Sequence, residues 1–443
     1  MTADSLAVAI EAISWIGYAG VGERTALFKA AGQLGVGRSN ELRQAHKLVM
    51  ETARYQNRLE SLIRASTTGN KIQRTPHGVT SFLKILAYLR YVENVTAKEL
   101  EENVRWGRQI LGWKELLPYE NQIAIIASGT LDVLSPELTE FERLALQTCN
   151  PVWFVEKTIH VFGRPFALKI LSRNLTLLPA YVRLNMLKIR DQNRADAIAS
   201  QIQGSRMLQL QNILKMGRPP SASARSDAFR SGEIVMQDLA SIVAGLVASP
   251  KRGSVVLDVC AAPGNKTSHL ADIMNNTGEI CSIELSEKRL SHWKTEMDRT
   301  GVTVAHPIRG EARNIPIRKS ADVILVDPPC SNTGVFARNP GIKWKNSASN
   351  IKEFALRQYW ILRAAAANLI PNGMLVYCTC SLLPEENELV IEDFLKREQD
   401  FRLVPQKPFI GSPGLRGLSL CQRFYPHLHD CNGYFIAKLQ RTD

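Results

Sequence analysis

The chain has 443 residues, 45% of them hydrophobic and 22% charged, which is enough apolar content to fill two or three domain cores and too much for a disordered protein. Its formal net charge of +13 is uneven: residues 1–230 hold 30 Lys and Arg against 20 Asp and Glu, whereas residues 231–443 hold 25 against 22. No apolar run approaches the roughly eighteen residues of a membrane helix, the N-terminus carries Asp4 and Glu11 and lacks signal-peptide character, and eight cysteines, several inside expected strands, suit a reducing, cytoplasmic setting.

From the N-terminus the pattern is helical. SLAVAIEAISWI, NELRQAHKLVMETARYQNRLESLI, TSFLKILAYLRYV and AKELEENVRWGRQIL each carry apolar residues at three- and four-residue intervals. Ser39 or Asn40 can cap the second of these, and Thr68, Gly69 and Asn70 close it. Arg43, Lys47, Arg54 and Arg58 recur along it, either as a positive stripe for phosphates or as a solvated face interleaved with Glu41, Glu51 and Glu60. Residues 1–150 are therefore expected to form an all-helical domain. Residues 151–230 are expected to form a smaller α/β segment, with a strand in YVRLNMLKI, a helix through ADAIASQIQG and a flexible loop in the Pro/Ser/Ala run 218–226.

In residues 231–443, strands are expected around Val256, Ser282, Pro307, Ile324, Val376, Leu403 and Phe435, the third being doubtful because proline is unwelcome inside a central strand. SVVLDVCAAPGNKTSHLADIM reads as a strand ending at Asp258, a turn through Cys260, Ala261, Ala262, Pro263 and Gly264, and a helix, which is the order of a nucleotide-type site. The glycine admits close approach of a ligand, and the helix start offers unpaired N–H groups. The turn lacks G-x-G-x-x-G spacing, which disfavours a dinucleotide. Glu284 ends the next strand, where a carboxylate either accepts the two hydroxyls of a ribose or is simply a surface residue. Asp327 and Cys330 in VDPPCS, and Cys380 in VYCTCS, each follow an apolar stretch. Two thiols at neighbouring strand ends can face one crevice, although either alone is equally a buried small hydrophobe. Cys378 forms a C-x-C pair with Cys380, but Cys421, Cys431, His427 and His429 are too loosely spaced to favour zinc, so no metal is expected. Cys378 is expected to point away from the site, with Cys149, Cys260 and Cys281 in cores.

In this order and on successive strand ends, CAAPGNKT, DPPCS and TCS resemble the Sun/Nop2 family of S-adenosylmethionine-dependent RNA cytosine-5 methyltransferases. The resemblance extends through FRSGEIVMQDLAS, FARNPGIKW, SLLPEENE and NGYFIAKL, over about the last half of the chain. It implies an α/β fold: a doubly wound, Rossmann-like methyltransferase domain of seven strands at 231–443, with its last hairpin antiparallel. This domain would follow a small α/β RNA-contacting segment, whose usual strand Arg183 and Asn185 match, and an all-α N-terminal domain. The helical region in turn resembles the antitermination-factor-like domain of bacterial ribosomal RNA members. S-adenosylmethionine is implied as cofactor, held by Cys260, Ala261, Ala262, Pro263, Gly264, Lys266, Glu284, Arg289, Glu311 and Asp327. Cys380 is implied as nucleophile, Cys330 as the thiol that assists release by helping remove the C5 proton, and Asp327 as the contact to the cytosine edge. Three positions depart from the family pattern: Asn265 stands at the second glycine of the cofactor turn, and Glu284 and Glu311 stand where aspartates are usual. Asn265 is expected to tolerate a left-handed backbone, and Gly310 to give Glu311 room to adjust. The implied partner is RNA, with small-subunit ribosomal RNA first and transfer RNA second, and neither a membrane nor a metal.

The chemistry asks for these residue types independently of the resemblance. C5 of cytosine is a poor nucleophile, and adding a thiolate to C6 makes it enamine-like. After transfer, C5 carries a methyl and a hydrogen, so a base must take the proton before the thiol leaves. A free thiol titrates near 8.5, so Lys266, Lys343, Arg338 or a helix start in PEENE is expected to stabilise the thiolate. Two rival readings remain. One is a methyltransferase for an exocyclic nitrogen, which needs no thiol; DPPC resembles its motif but lacks the aromatic residue. The other is a non-catalytic RNA-assembly factor on the same fold. DNA cytosine enzymes place their nucleophile in the fourth-strand Pro-Cys run, whereas here a second thiol on the fifth strand points to RNA.

Overall fold

The computed structural model describes residues 1–67, 75–207, 210–217, 226–317 and 320–442. The expected end of the second helical segment at 68–70 and the run 218–225 lie outside them. The chain divides into two units, Met1–Thr176 with Asn339–Lys345, and Leu177–Arg338 with Asn346–Asp443.

The first unit is helical around a core that includes Leu6, Val49, Leu59, Phe82, Leu86 and Ile126. Reciprocal side-chain caps start three of its helices: Thr2 with Ser5 before Ala3–Ala19, Thr96 with Glu99 before Ala97–Leu111, and Thr139 with Glu142 before Glu140–Thr148. The long second segment is two helices, Ser39–Arg54 and Gln56–Ala65, interrupted at Tyr55. Ser39 begins the helix and does not cap it; the N-cap is Arg38, which makes no side-chain cap bond. Arg43 and Lys47 are exposed, but Arg54 is buried, with Nη1 donating to the Asn174 carbonyl at 2.8 Å and Nε 3.1 Å from Glu51, so the basic stripe is broken. Helices Val152–Phe162 and Arg164–Arg173, which fall within the expected α/β segment, belong to this unit, the former packing against Glu140–Thr148.

The second unit holds two sheets. The smaller is antiparallel, in the order β2-β3-β1-β4, from β1 (Tyr181–Leu184), β2 (Gly204–Met207), β3 (Leu210–Met216) and β4 (Ile234–Met236). With helix Gln192–Gln201 it encloses Val182, Leu184, Ile198, Leu214 and Ile234. Arg183 and Asn185 turn inward: Arg183 Nη1 lies 2.6 Å from Asp272, and Asn185 Nδ2 donates at 2.8 Å to the carbonyls of Gly232 and Thr300. Both residues tie this sheet to the helices Asn265–Ile273 and Glu287–Thr300 of the same unit.

The larger sheet has β5 (Val255–Val259), β6 (Glu279–Glu284), β7 (Ala305–Arg309), β8 (Ala321–Val326) and β9 (Leu369–Thr379) in parallel, with β13 (Tyr434–Arg441) antiparallel to β9. Its order is β11-β12-β13-β9-β8-β5-β6-β7, and β10 (Phe401–Leu403) also pairs with β13. All seven expected centres fall in strands; β11 (Ser412–Pro413) and β12 (Gln422–Phe424) are additional. Pro307 is accommodated because β7 is the edge strand, paired only to β6. Successive residues of one strand feed opposite faces. Leu257, Ile324 and Tyr377 pack on Ile361, Leu362 and Phe394, while Val256, Leu325 and Val376 pack on Leu239, Ile242 and Leu270. Chemistry-bearing residues therefore collect beyond the C-terminal strand ends.

Candidate active site

Beyond β5, the chain turns through Cys260 at φ 67° and Gly264 at φ 111° into helix Asn265–Ile273. A Cβ on Gly264 would lie 2.8 Å from Met297 Cε and 3.2 Å from Trp293 Cδ1, so glycine is required both for backbone angle and for space. Asn265 is the first helical residue, and the left-handed position expected of it falls on Gly264. Beneath the turn, burial pushes Asp258 up to about 6, opposed by Thr267 Oγ1 donating to Oδ2 at 2.6 Å.

Glu284 ends β6 almost fully buried. Its Oε1 accepts the Ser286 N–H at 3.0 Å. Its Oε2 lies 3.1 Å from Arg289 Nη1 but outside hydrogen-bond alignment, leaving a buried acceptor without a hydrogen-bond partner. Arg289 Nη2 also donates to the Ala262 carbonyl, linking the β5 turn to the end of β6. An unfilled carboxylate acceptor beside a glycine turn and an open helix start fits the ribose and amino-acid portions of S-adenosylmethionine. Glu311, beyond β7, is taken up by Arg313, whose Nε donates at 3.2 Å; burial opposes ionisation, but Arg313 holds the carboxyl below its usual value. Gly310 gives no slack, because a Cβ there would lie 2.6 Å from Pro316 Cγ.

Asp327 follows β8. Lys266 Nζ donates to its Oδ2 at 2.7 Å; burial would lower the Lys266 ammonium, but the charge of Asp327 raises it above its usual value. Near Oδ1 stand Tyr434 Oη at 3.5 Å and Cys378 Sγ at 3.7 Å. Cys378 thus faces Asp327 instead of pointing away, since strand alternation puts it on the same face as Cys380. Burial first, and then Asp327, raise its thiol, so it stays protonated.

The thiols of Cys330 and Cys380 lie 3.0 Å apart. Cys330 is 7% exposed and Cys380 is half-buried. The contact with Cys380, then burial, then the charge of Glu386 push Cys330 well above the usual thiol value, so Cys330 keeps its proton and can donate it to the Cys380 sulfur. Cys380 Sγ donates to Asn332 Oδ1 at 3.0 Å, while Asn332 Nδ2 donates to the Cys330 carbonyl at 2.8 Å. Each cysteine precedes a serine, and both serine hydroxyls donate to Glu386 Oε2; Oε1 accepts the Ser331 N–H at 2.8 Å and Gln358 Nε2 at 2.9 Å. Glu386 sits in the PEENE run, whose first turn is the 3-10 segment Pro384–Glu386, so this run clamps the two loops instead of directing a helix start at a thiol.

Arg338 and Lys343 do not serve the thiols. Arg338 Nε donates to Asn432 Oδ1 at 3.1 Å and Nη2 to the Pro179 carbonyl at 2.5 Å. Lys343 belongs to the first unit, where its ammonium donates to the carbonyls of Arg54, at 2.7 Å, and Cys149. Among the described residues, no group of three or more His, Cys, Asp or Glu is arranged to hold a metal. No helix there is long and apolar enough to cross a membrane. Sequence reasoning missed Tyr434, the face of Cys378 and the clamp at Glu386; of these, only Cys378 carried a signal, its two-residue spacing from Cys380.

A family model described as 16S rRNA methyltransferase RsmB/F matches residues 246–440. The chain is 28% identical over 390 residues to a probable ribosomal RNA small subunit methyltransferase B of Bacillus subtilis, covering 84% of this chain and 85% of the relative. It is 31% identical over 307 residues to the ribosomal RNA small subunit methyltransferase B of Klebsiella pneumoniae, covering 68% of each. A crystal structure of the protein designated PH0851 superposes with a TM-score of 0.83 at 26% identity, over 100% of this chain and 99% of that one.

Proposed function

The chain belongs to the RsmB/F family of S-adenosylmethionine-dependent RNA cytosine-5 methyltransferases, and we propose that it methylates a cytosine of small-subunit ribosomal RNA through a transient bond between Cys380 and C6. The observation that carries this reading is the 3.0 Å contact between the sulfurs of Cys330 and Cys380, of which Cys380 is the more open to a substrate base. The thiolate is the attacking form of such a group.

The target base must leave its stack to reach the crevice. Asp327, paired with Lys266, accepts from the N4 amino edge and orients the ring. The Cys380 thiolate bonds to C6, and the displaced π electrons make C5 nucleophilic. S-adenosylmethionine, held by the turn 260–264 with Lys266, Glu284 and Arg289, supplies the electrophilic methyl group. Release requires that a base take the C5 proton, whose bonding electrons re-form the C5–C6 double bond and expel the Cys380 thiolate from C6. Cys330, 3.0 Å from Cys380, assists this release. Glu311, bound by Arg313, has no direct part in this sequence of steps. The positive excess in residues 1–230, which include the exposed Arg43, supplies sequence-independent phosphate contact.

Bisulfite mapping of total RNA from a strain lacking the protein tests this reading. One cytosine of small-subunit ribosomal RNA should lose protection and regain it when the intact gene is restored. Loss confined to transfer RNA would overturn the substrate, and an unchanged map would overturn the activity.

A further inference from the structure

Asp327 is held from more sides than an ion pair needs. Its Oδ2 is taken by Lys266 at 2.7 Å, while Tyr434 Oη stands 3.5 Å from Oδ1 and 3.3 Å from Cys378 Sγ, itself 3.7 Å from Oδ1. The Tyr434 ring lies 5.7 Å from Lys266 Nζ, so one side chain touches both members of the pair. Tyr434 is 4% exposed and opens β13, whose register pairs Phe435 with Thr379 and so brings Tyr434 alongside Cys380. A phenol buried there remains protonated: burial first, and then the charges of Asp327 and Cys378, push it well above its usual value. It is a permanent donor in a place where an apolar ring would fill the same space.

We propose that Tyr434 is a positioning residue for methyl transfer: its hydroxyl, directly and through the Cys378 sulfur, fixes Oδ1 of Asp327 so that the carboxylate meets the amino edge of the flipped cytosine in a single orientation. A carboxylate offers about four lone-pair directions. With Lys266 on one oxygen and the Tyr434–Cys378 pair behind the other, those left over face the crevice. Tyr434 does not touch the base; it acts through Asp327. This inference rests on the proposed role of Asp327, and its test separates the two.

The experiment uses the full chain with S-adenosylmethionine and a substrate RNA, comparing Tyr434→Phe, Asp327→Asn and the double variant. A second RNA carries 5-fluorocytosine at the target, where fluorine cannot leave as the proton does, so that the rate of stable adduct formation reads thiol addition and methyl transfer without release. Tyr434→Phe keeps the ring. Its melting temperature, cofactor affinity and KM for RNA should stay at wild-type values while kcat and adduct formation fall on the order of tenfold, the loss of one hydrogen bond to a charged group. The double variant should be no slower than Asp327→Asn alone. Wild-type kcat in Tyr434→Phe, or a multiplicative loss in the double variant, would sink the role of Tyr434 while leaving Asp327 intact. Full activity in Asp327→Asn would overturn the role of Asp327 and that of Tyr434 with it.

Discussion

Cys330 Sγ and Cys380 Sγ lie 3.0 Å apart although fifty positions separate the two residues, and one carboxylate holds them there. β8 and β9 are parallel neighbours, so the loops that leave them run side by side. Glu386 accepts from the serine that follows each cysteine and fixes both loops at once. Two sulfurs in direct contact are unequal: Cys330 is the more buried, its thiol pushed well above the usual value, and Cys380 stands at the more open position. Division of labour between nucleophile and release thiol follows from that asymmetry.

Replacing each thiol in turn should give opposite phenotypes. Cys380→Ala is expected to lose turnover and to form no covalent RNA complex. Cys330→Ala is expected to methylate but release slowly, accumulating a methylated protein–RNA adduct that survives denaturing electrophoresis. Trapping by the Cys380 variant with normal turnover in the Cys330 variant would exchange the two roles.

Glu386→Ala removes the acceptor for four donors at a fully buried position. Gln358 Nε2 keeps the Pro329 carbonyl and the serine hydroxyls keep Thr333 Oγ1, so the Ser331 N–H is the donor left unpaired, and a loss of about 1–3 kcal/mol in unfolding free energy is expected by denaturant titration. Activity should fall further than stability explains, because the two loops are no longer joined. Activity proportional to the folded fraction would show that the clamp serves stability alone.

The strand-turn-helix at 254–274 and the two cysteine loops were legible because local pattern suffices there: apolar runs mark parallel strands buried on both faces, and glycine marks the turn. Period-two alternation also puts Cys378 on the face of Cys380, and the expectation that it points outward overlooked that geometry. Tyr434 was not legible, because its role depends on the register of β13 against β9, a long-range pairing. Arg54 read as part of a basic helix stripe and Lys343 as a candidate partner of the thiolate. Both are buried, since carbonyls at helix ends stand ready to receive them, and no local pattern announces such a partner. Pro307 looked out of place only while the position of β7 at the sheet edge was unknown.

Glu284→Gln should weaken S-adenosylmethionine binding beyond any change in the stability of the free protein. The carboxylate oxygen Oε2 makes an ion pair with Arg289 at 3.1 Å but no aligned hydrogen bond, so a bound ribose hydroxyl can supply one. A hydrogen bond to a charged acceptor is worth about 1.5–3 kcal/mol, which corresponds to a loss of about tenfold or more in affinity by titration calorimetry. Unchanged affinity would remove Glu284 from the cofactor site.

Lys343 makes the stability of the first unit rise with pH, as a carboxylate held low by an ion pair does, but in the alkaline range. Its ammonium is capped by the carbonyls of Arg54, the last residue of Ser39–Arg54, and of Cys149, which caps Glu140–Thr148, so two negative helix ends converge on it. Burial nevertheless pulls it from 10.5 to about 7. Between these values the unfolded chain binds more protons than the folded one, so stability rises with pH; below about 7 both states are protonated and the contribution is absent. The limiting slope for one proton is about 1.4 kcal/mol per pH unit. Wild type and Lys343→Met, unfolded by denaturant at pH 7, 8 and 9 and followed by tryptophan fluorescence, should therefore diverge, the wild type gaining stability relative to the variant at each step. Parallel pH dependence in the two proteins would mean that the lysine stays charged throughout, with the two carbonyls offsetting its burial.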